Sequence, residues 1–120
     1  MRNMPIRLLV MKGSTTKDLM QIPGVQGYAV VDDKSVQIRL PSKHPLASDR
    51  ERFRRIRRDL AGDGPRLGHT IEIILDDMMM TLFLSGGLML AVMSSLRVNQ
   101  ALLRMTGRLV LAGMVRERGQ

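Results

Sequence analysis

The feature that most constrains this fold is a long stretch without a charged side chain, residues 78–96. Its length approaches the roughly 20 apolar residues that a helix needs to cross a bilayer. Its centre, however, is Ser85-Gly86-Gly87, and glycine supplies the positive φ angles of a tight hairpin turn. We therefore predict two buried strands, residues 79–84 and 88–93, joined as a hairpin. A membrane span and a single buried helix are the less favoured alternatives.

The segments on either side of this hairpin extend the pattern. Residues 70–75 form an apolar run that predicts a further strand, and Asp76-Asp77 provides a polar turn into the hairpin. A closing helix is predicted over residues 98–115, to within a few residues at each end. Its predicted buried stripe consists of Val98, Ala101, Leu102, Met105, Leu109 and Ala112. Arg97, Arg104 and Arg108 lie largely off that stripe.

The first half of the chain predicts a short helix and a second hairpin. Ser14-Thr15-Thr16 offers an N-cap, and Pro23-Gly24 ends the helix. Residues 26–31 predict a strand with Tyr28 and Val30 on one face. After a turn at residues 32–34, apolar and polar residues alternate over 36–40, which is typical of a half-buried strand.

A second helix is predicted to begin at Ser48, because Ser48 and Glu51 have the spacing of a capping box. Phe53, Ile56 and Leu60 recur at helical spacing and define its buried face. Gly62 and Gly64-Pro65 are expected to end it.

The complete element order is α-β-β-α-β-β-β-α. It predicts an α/β sandwich, a five-stranded antiparallel sheet with helices on both faces, because each apolar face of a sheet needs a cover. At 120 residues we expect one domain, residues 14–118, preceded by an extension, residues 1–13. The extension either adds a strand through Ile6, Leu8 and Val10 or stays loose until a partner binds. Because Arg7 interrupts its apolar patch, we do not interpret it as a signal peptide.

The chain contains no cysteine and has a formal net charge of +8. The first fact excludes disulfides, thiolate nucleophiles and cysteine-based zinc sites, and it fits a reducing compartment, so we expect a cytoplasmic protein. The second predicts an anionic partner, which can be nucleic acid, a membrane surface or an acidic protein face.

Arginines are concentrated in the second predicted helix. Helical spacing places Arg50, Arg54, Arg57 and Arg58 near one another, and we predict that these four bind a partner. Guanidinium groups bind carboxylate and phosphate well, so the cluster predicts a docking surface for an anion-rich protein. The alternative is a solvated face whose long side chains cover the core.

Other chemistries receive little support from the residues. Aromatic residues make up 2% of the chain, which argues against base stacking, although a nucleic-acid-associated or architectural role remains the alternative on charge alone. His44 and His69 lie in predicted loops without the spacing of metal ligands. The Asp32-Asp33 and Asp76-Asp77 pairs are expected to serve turns. We predict no catalytic residues, no metal and no cofactor.

Several local patterns together resemble the roadblock family, named after a dynein light chain. Residues 19–31, with the link Ile22-Pro23-Gly24-Val25, look like the family's first helix, link and first strand. Residues 84–92, followed by Asn99 and Leu102-Leu103, look like its last strand and last helix. The similarity covers about residues 15–115 and implies a roadblock/profilin-like fold.

The resemblance also implies a function. Members of the family pair the central strands of two subunits into one continuous sheet, with the second helices side by side. The resemblance therefore places Ile71, Ile73, Phe53 and Ile56 at a homodimer interface. It also implies that the partner is a small Ras-like GTPase, which the dimer regulates or scaffolds. Because Gly86-Gly87 lacks the phosphate-loop pattern, any GTP would be carried by the partner.

Overall fold

The computed structural model describes residues 15–61 and 69–118. The predicted order of helices and strands is confirmed there. The elements are α1 (Thr16–Met20), β1 (Val25–Val31), β2 (Val36–Arg39), α2 (Arg50–Ala61), β3 (His69–Leu75), β4 (Met78–Ser85), β5 (Leu88–Ser95) and α3 (Gln100–Arg118). The extension, residues 1–13, and the expected helix stop at Gly62 and Gly64-Pro65 lie outside the described residues.

The five strands form one antiparallel sheet in the order β2-β1-β5-β4-β3. The predicted hairpin is its β4–β5 pair. Gly86 and Gly87 have φ angles of 57° and 79° at the turn, and two successive positive φ values match the twist of the flanking strands. Across the two described ranges, no helix is long and apolar enough to cross a membrane.

Helices cover both faces of the sheet, as predicted. Leu88, Leu90 and Val92 of β5 pack on the side of α1 and α3, whereas Met89 and Ala91 pack on the side of α2. Because both faces are covered, central strands read as continuous apolar runs. Methionines fill much of this core, since Met79, Met80, Met89 and Met93 are all buried.

The predicted buried stripe of α3 is wrong at four of its six residues, whereas Val98 is buried and Leu102 is half-buried, as predicted. Met105 and Leu109 are 57% and 47% exposed, and Ala101 and Ala112 are also exposed. The face against the sheet is instead formed by Leu103, Thr106, Gly107, Val110 and Leu111.

Gly107 shows how closely the buried face of α3 approaches the sheet. A Cβ atom at that position would lie 2.2 Å from the Phe83 ring, so the helix backbone sits directly on the aromatic ring. Packing one glycine against a large ring brings the flanking Leu103, Val110 and Leu111 down onto the sheet. Large apolar side chains lie on both sides of α3, so hydropathy spacing alone does not decide which side is buried.

The N-cap of α2 also differs from its prediction. The helix begins at Arg50, and the Asp49 carboxylate accepts the Arg52 N–H at 3.2 Å. Asp49 is therefore the capping residue, one position after Ser48. Its carboxylate also accepts a bond from the Arg52 guanidinium at 3.0 Å, and a negative charge is favourable at a helix N-terminus.

We expect Asp49→Ala to destabilise the domain by about 1 kcal/mol, because it leaves the first-turn amide without its acceptor. Ser48→Ala should leave the free energy of unfolding within about 0.5 kcal/mol of wild type. If Ser48 were the N-cap, as the sequence pattern predicts, this change would be the destabilising one. Urea unfolding followed by circular dichroism measures both. Equal losses would contradict the assignment of the cap to Asp49.

Candidate partner-binding surface

Helix α2 is fixed to the sheet by the apolar face that its sequence predicts. Phe53 is fully buried among residues of β1, β2, β4 and β5, and Ile56 and Leu60 are half-buried beside it. The remaining faces of the helix carry its charged residues. Because the helix is anchored through its whole length, these side chains project from a rigid support.

Two of the four predicted partner-binding arginines are tied to the domain itself. The Arg50 guanidinium donates to the Val36 carbonyl at 2.8 Å, and Arg57 Nε donates to the Gly87 carbonyl at 2.7 Å. Val36 pairs with Val31, which pairs with Met89, so both acceptors lie at the same end of the sheet. We call this the turn end, defined by the β1–β2 turn (residues 32–35) and the β4–β5 turn (residues 85–88).

The other two arginines point into solvent on the same flank. Arg54 and Arg58 are exposed, and their spacing from Arg50 and Arg57 keeps all four on one side of α2. Arg58 lies 3.6 Å from the Glu51 carboxylate, but both side chains are more than 60% exposed, so this pair contributes little. Within residues 15–61 and 69–118, Arg54 makes no hydrogen bond or ion pair.

The fold adds cationic groups that no sequence pattern placed here. Arg118, at the end of α3, contacts the Asp32 carboxylate at 2.7 Å in the β1–β2 turn, and Lys34 lies in the same turn. Burial alone would raise the pKa of Asp32, but the Lys34 and Ser35 amides and the Arg118 guanidinium lower it. Residues from α2, α3 and two turns therefore meet at the turn end. Their meeting depends on the tertiary structure and has no local signature.

The opposite flank of α2 is electrostatically mixed. A shallow groove there is lined by Asp49, Glu51, Arg52, Arg55, Ile56 and Asp59. Arg52 pairs with Asp49 at 3.0 Å along the helix. Carboxylates and guanidinium groups alternate along this flank, and the carboxylates would repel an anionic partner. The flank that carries Arg54 and Arg58 is therefore the better binding surface for such a partner.

The predicted dimer-interface residues fall in two environments. Ile71 and Ile73 are half-buried on β3, on the sheet face that carries α2, and Ile56 is half-buried on α2. Phe53 is 0% exposed and cannot contact a second subunit. It can support an interface only indirectly, by packing α2 onto the sheet. Although β3 is third of the five strands along the chain, it lies at an edge of the sheet.

His44 and the turn carboxylate Asp32 occupy structural positions, since Asp32 accepts the Lys34 and Ser35 amides. The Leu46 N–H donates to Nδ1 of His44, and Nε2 lies 2.9 Å from Gln26 Oε1. Burial lowers the pKa of His44 and favours this neutral ring. His69 opens β3, but its side chain lies outside the described part. No group of three potential metal ligands occurs in the ranges that the structure covers.

Comparisons with known proteins bear on the fold. A scan against protein-family models gives no match, and a search of curated protein sequences gives none. Among solved structures, the chain is similar to a Roadblock/LC7 domain from Streptomyces avermitilis, with a TM-score of 0.58 and 17% sequence identity. The match covers 87% of this chain and 94% of that one. Together with the strand order and the helices on both faces, this likeness shows that the chain has the roadblock/LC7 fold.

Proposed function

We propose that this chain is a non-catalytic, dimeric module that docks on a small Ras-like GTPase and regulates or scaffolds it. In this proposal residues 14–118 form the module, residues 1–13 are an extension, and the protein is cytoplasmic. The observation that carries the proposal is the pair of solvent-directed arginines, Arg54 and Arg58, on a rigid helix of a roadblock-type fold.

The edge position of β3 supports the dimer. An edge strand presents backbone N–H and C=O groups that can pair with another strand, and the described residues place no neighbour beyond β3. Ile71 and Ile73 are only half-buried in one chain. Pairing β3 with its counterpart in a second copy would satisfy the edge and cover these side chains, and a two-fold axis would make the contact self-complementary.

The arginine flank supports the choice of an anionic partner. The guanidinium groups of Arg50 and Arg57 donate to backbone carbonyls, and these bonds hold this flank of α2 against the turn end of the sheet. Arg54 and Arg58 remain available to carboxylates or phosphates on the partner, where a guanidinium can bind two oxygens at once. A dimer would carry two such flanks.

Regulation in this proposal works by positioning groups of the GTPase. An alternative is that Arg54 enters the nucleotide site and stabilises the transition state directly, which can raise hydrolysis by a large factor. Arg54→Lys separates the two. Lysine keeps the charge for docking but lacks the planar fork, so retained binding with lost stimulation would identify a direct role.

We expect Arg54→Glu/Arg58→Glu to abolish binding of the GTPase, because each reversal replaces an attraction by a repulsion. The test captures partners from nuclease-treated lysate at moderate salt, with GDP or a non-hydrolysable GTP analogue. Both residues are exposed, so the fold should be unaffected. Arg57 is left intact because it holds the Gly87 carbonyl.

Arg108→Glu/Arg116→Glu is the matched control, since it removes the same charge from exposed positions on α3, on the other face of the sheet. It should retain the partner. If both variants capture the GTPase as well as wild type does, the flank is only a solvated surface. If both lose it equally, net charge rather than α2 determines binding.

The second candidate is a nucleic-acid-associated or architectural protein, favoured by the net charge of +8. Phosphate-driven binding with 6–10 contacts loses about 10³–10⁵ in affinity between 50 and 200 mM salt. Docking with an apolar centre should persist across that range. Capture that disappears after nuclease treatment would favour this candidate.

A further inference from the structure

Helix α3 carries an apolar ridge on its solvent side. Ala101, Met105, Leu109 and Ala112 are exposed along it, and we call this set the α3 ridge. The four residues follow one another at spacings of three and four, so they lie on one side of the helix. The helix has 19 residues and is therefore about 28 Å long. The solvent side of a surface helix normally carries charged and polar residues, so an apolar ridge there is unusual.

The charges beside the α3 ridge are mostly positive. Arg108 and Arg116 are exposed next to the ridge, whereas Arg104 is engaged with Glu72 at 2.7 Å. The single acidic residue of α3 is Glu117, in its last turn, and the first turn has none. An apolar line flanked by arginines on an outer helix is the pattern of a helix that lies on an anionic interface.

Helix α1 enlarges the same surface. It packs beside α3 on the same face of the sheet, with Leu19 in the shared core, and it exposes Lys17 and Met20. Its acidic residue, Asp18, is occupied by the Thr15 N–H at 2.8 Å.

We propose that the face formed by α1 and α3 is a peripheral docking surface for an anionic lipid membrane. The surface combines exposed apolar side chains with cations, which suits an anionic lipid interface. Arginines would contact lipid phosphates while Met105 and Leu109 enter the headgroup boundary. Binding of this kind is peripheral and needs no spanning helix. It leaves α2 and β3, on the other face and edge, free for protein partners.

Sedimentation with vesicles tests the proposal. We expect the wild-type chain to pellet with phosphatidylcholine vesicles that contain phosphatidylglycerol and to stay in solution with phosphatidylcholine alone. Arg108→Glu/Arg116→Glu should weaken partitioning about tenfold or more. Met105→Ser/Leu109→Ser should also weaken it, because it removes apolar contact without changing charge. Arg54→Glu/Arg58→Glu is the charge-matched control and should retain most binding.

An optical reporter tests the orientation. The chain contains no tryptophan, so Met105→Trp provides a single indole on the ridge and Arg54→Trp a single indole on the other face. We expect anionic vesicles to shift the emission of the first variant to the blue and to leave the second unchanged. Circular dichroism is the check that both variants are folded.

Three results would overturn the proposal. The first is an absence of sedimentation with anionic vesicles at about 0.1 M salt, which would leave an acidic protein as the anionic partner of this face. The second is an equal loss in the two charge-reversal variants, which would reduce the effect to net charge. The third is a blue shift only at position 54, which would place the membrane on the α2 side.

Discussion

Replacing Gly107 by alanine should destabilise the domain by about 1–3 kcal/mol, although alanine is the better helix former by about 1 kcal/mol. The new Cβ would lie 2.2–2.7 Å from three atoms of the Phe83 ring, well inside contact distance. Phe83 is itself buried in the core, so the ring has little room to retreat. Thermal unfolding should show a decrease in Tm on the order of 10 °C for a domain of this size.

Gly113→Ala is the matched control in the same helix. A Cβ at Gly113 meets nothing within 4 Å, so the change should only add helix propensity and stabilise by up to about 1 kcal/mol. Phe83→Leu provides a second check, because a smaller side chain should relieve part of the Gly107→Ala cost in the double variant. Losses of equal size at both glycines would contradict the close approach of α3 to the sheet.

The opposite signs expected at Gly107 and Gly113 show what the sequence lacks. Both are glycines in one helix, and neither position is distinguished by hydropathy. Only the tertiary approach of the helix to Phe83 decides which face is buried. Met105 and Leu109 lie on one side of the helix and Leu103, Val110 and Leu111 on the other, so the sequence offers two apolar faces, and the prediction selected the exposed one.

Most of the fold was predictable because its signals are local. The turn glycines Gly86 and Gly87, the alternation in β2 and the helical spacing on α2 depend on neighbouring residues. The one-residue error at the N-cap arose because Ser48 and Asp49 are both good capping residues. The residue types limit the N-cap to Ser48 or Asp49, and the hydrogen bond from the Arg52 N–H identifies Asp49.

The candidate site was predictable in part for the same reason. Helical spacing alone put four arginines on one flank of α2. It could not separate Arg50 and Arg57, which bind the carbonyls of Val36 and Gly87, from the solvent-directed Arg54 and Arg58. Those acceptors are distant in sequence, so only the folded sheet brings them to the helix.

The strand order has a further consequence for function. Chain order makes β3 the middle strand, but the crossover from β2 leaves it at the sheet edge. Sequence patterns specify that a strand forms and which face is apolar, and they leave its neighbours open. Only the structure shows that β3 is an edge strand among the described residues, and this position makes the dimer hypothesis testable at single residues.

Ile73→Asp should convert the proposed dimer to a monomer. Ile73 is half-buried on β3 in one chain, and pairing of two β3 edges would bury it further. Burying a carboxylate without a partner costs several kcal/mol, and a two-fold interface carries the substitution twice. We expect the dimer dissociation constant to rise at least a hundredfold, which corresponds to about 3 kcal/mol. Sedimentation equilibrium across a range of protein concentrations measures it.

Ile74→Asp tests whether the face of the strand matters. Ile74 is the next residue on β3, is 69% exposed and lies on the opposite face of the sheet, so the same change there should leave the dimer nearly unaffected. Circular dichroism of both variants separates dissociation from unfolding. A monomeric wild-type protein would contradict the dimer itself. Equal dissociation by the two variants would show that the β3 edge, rather than its α2-side face, determines assembly, because only an edge contact is insensitive to the direction in which the side chain points.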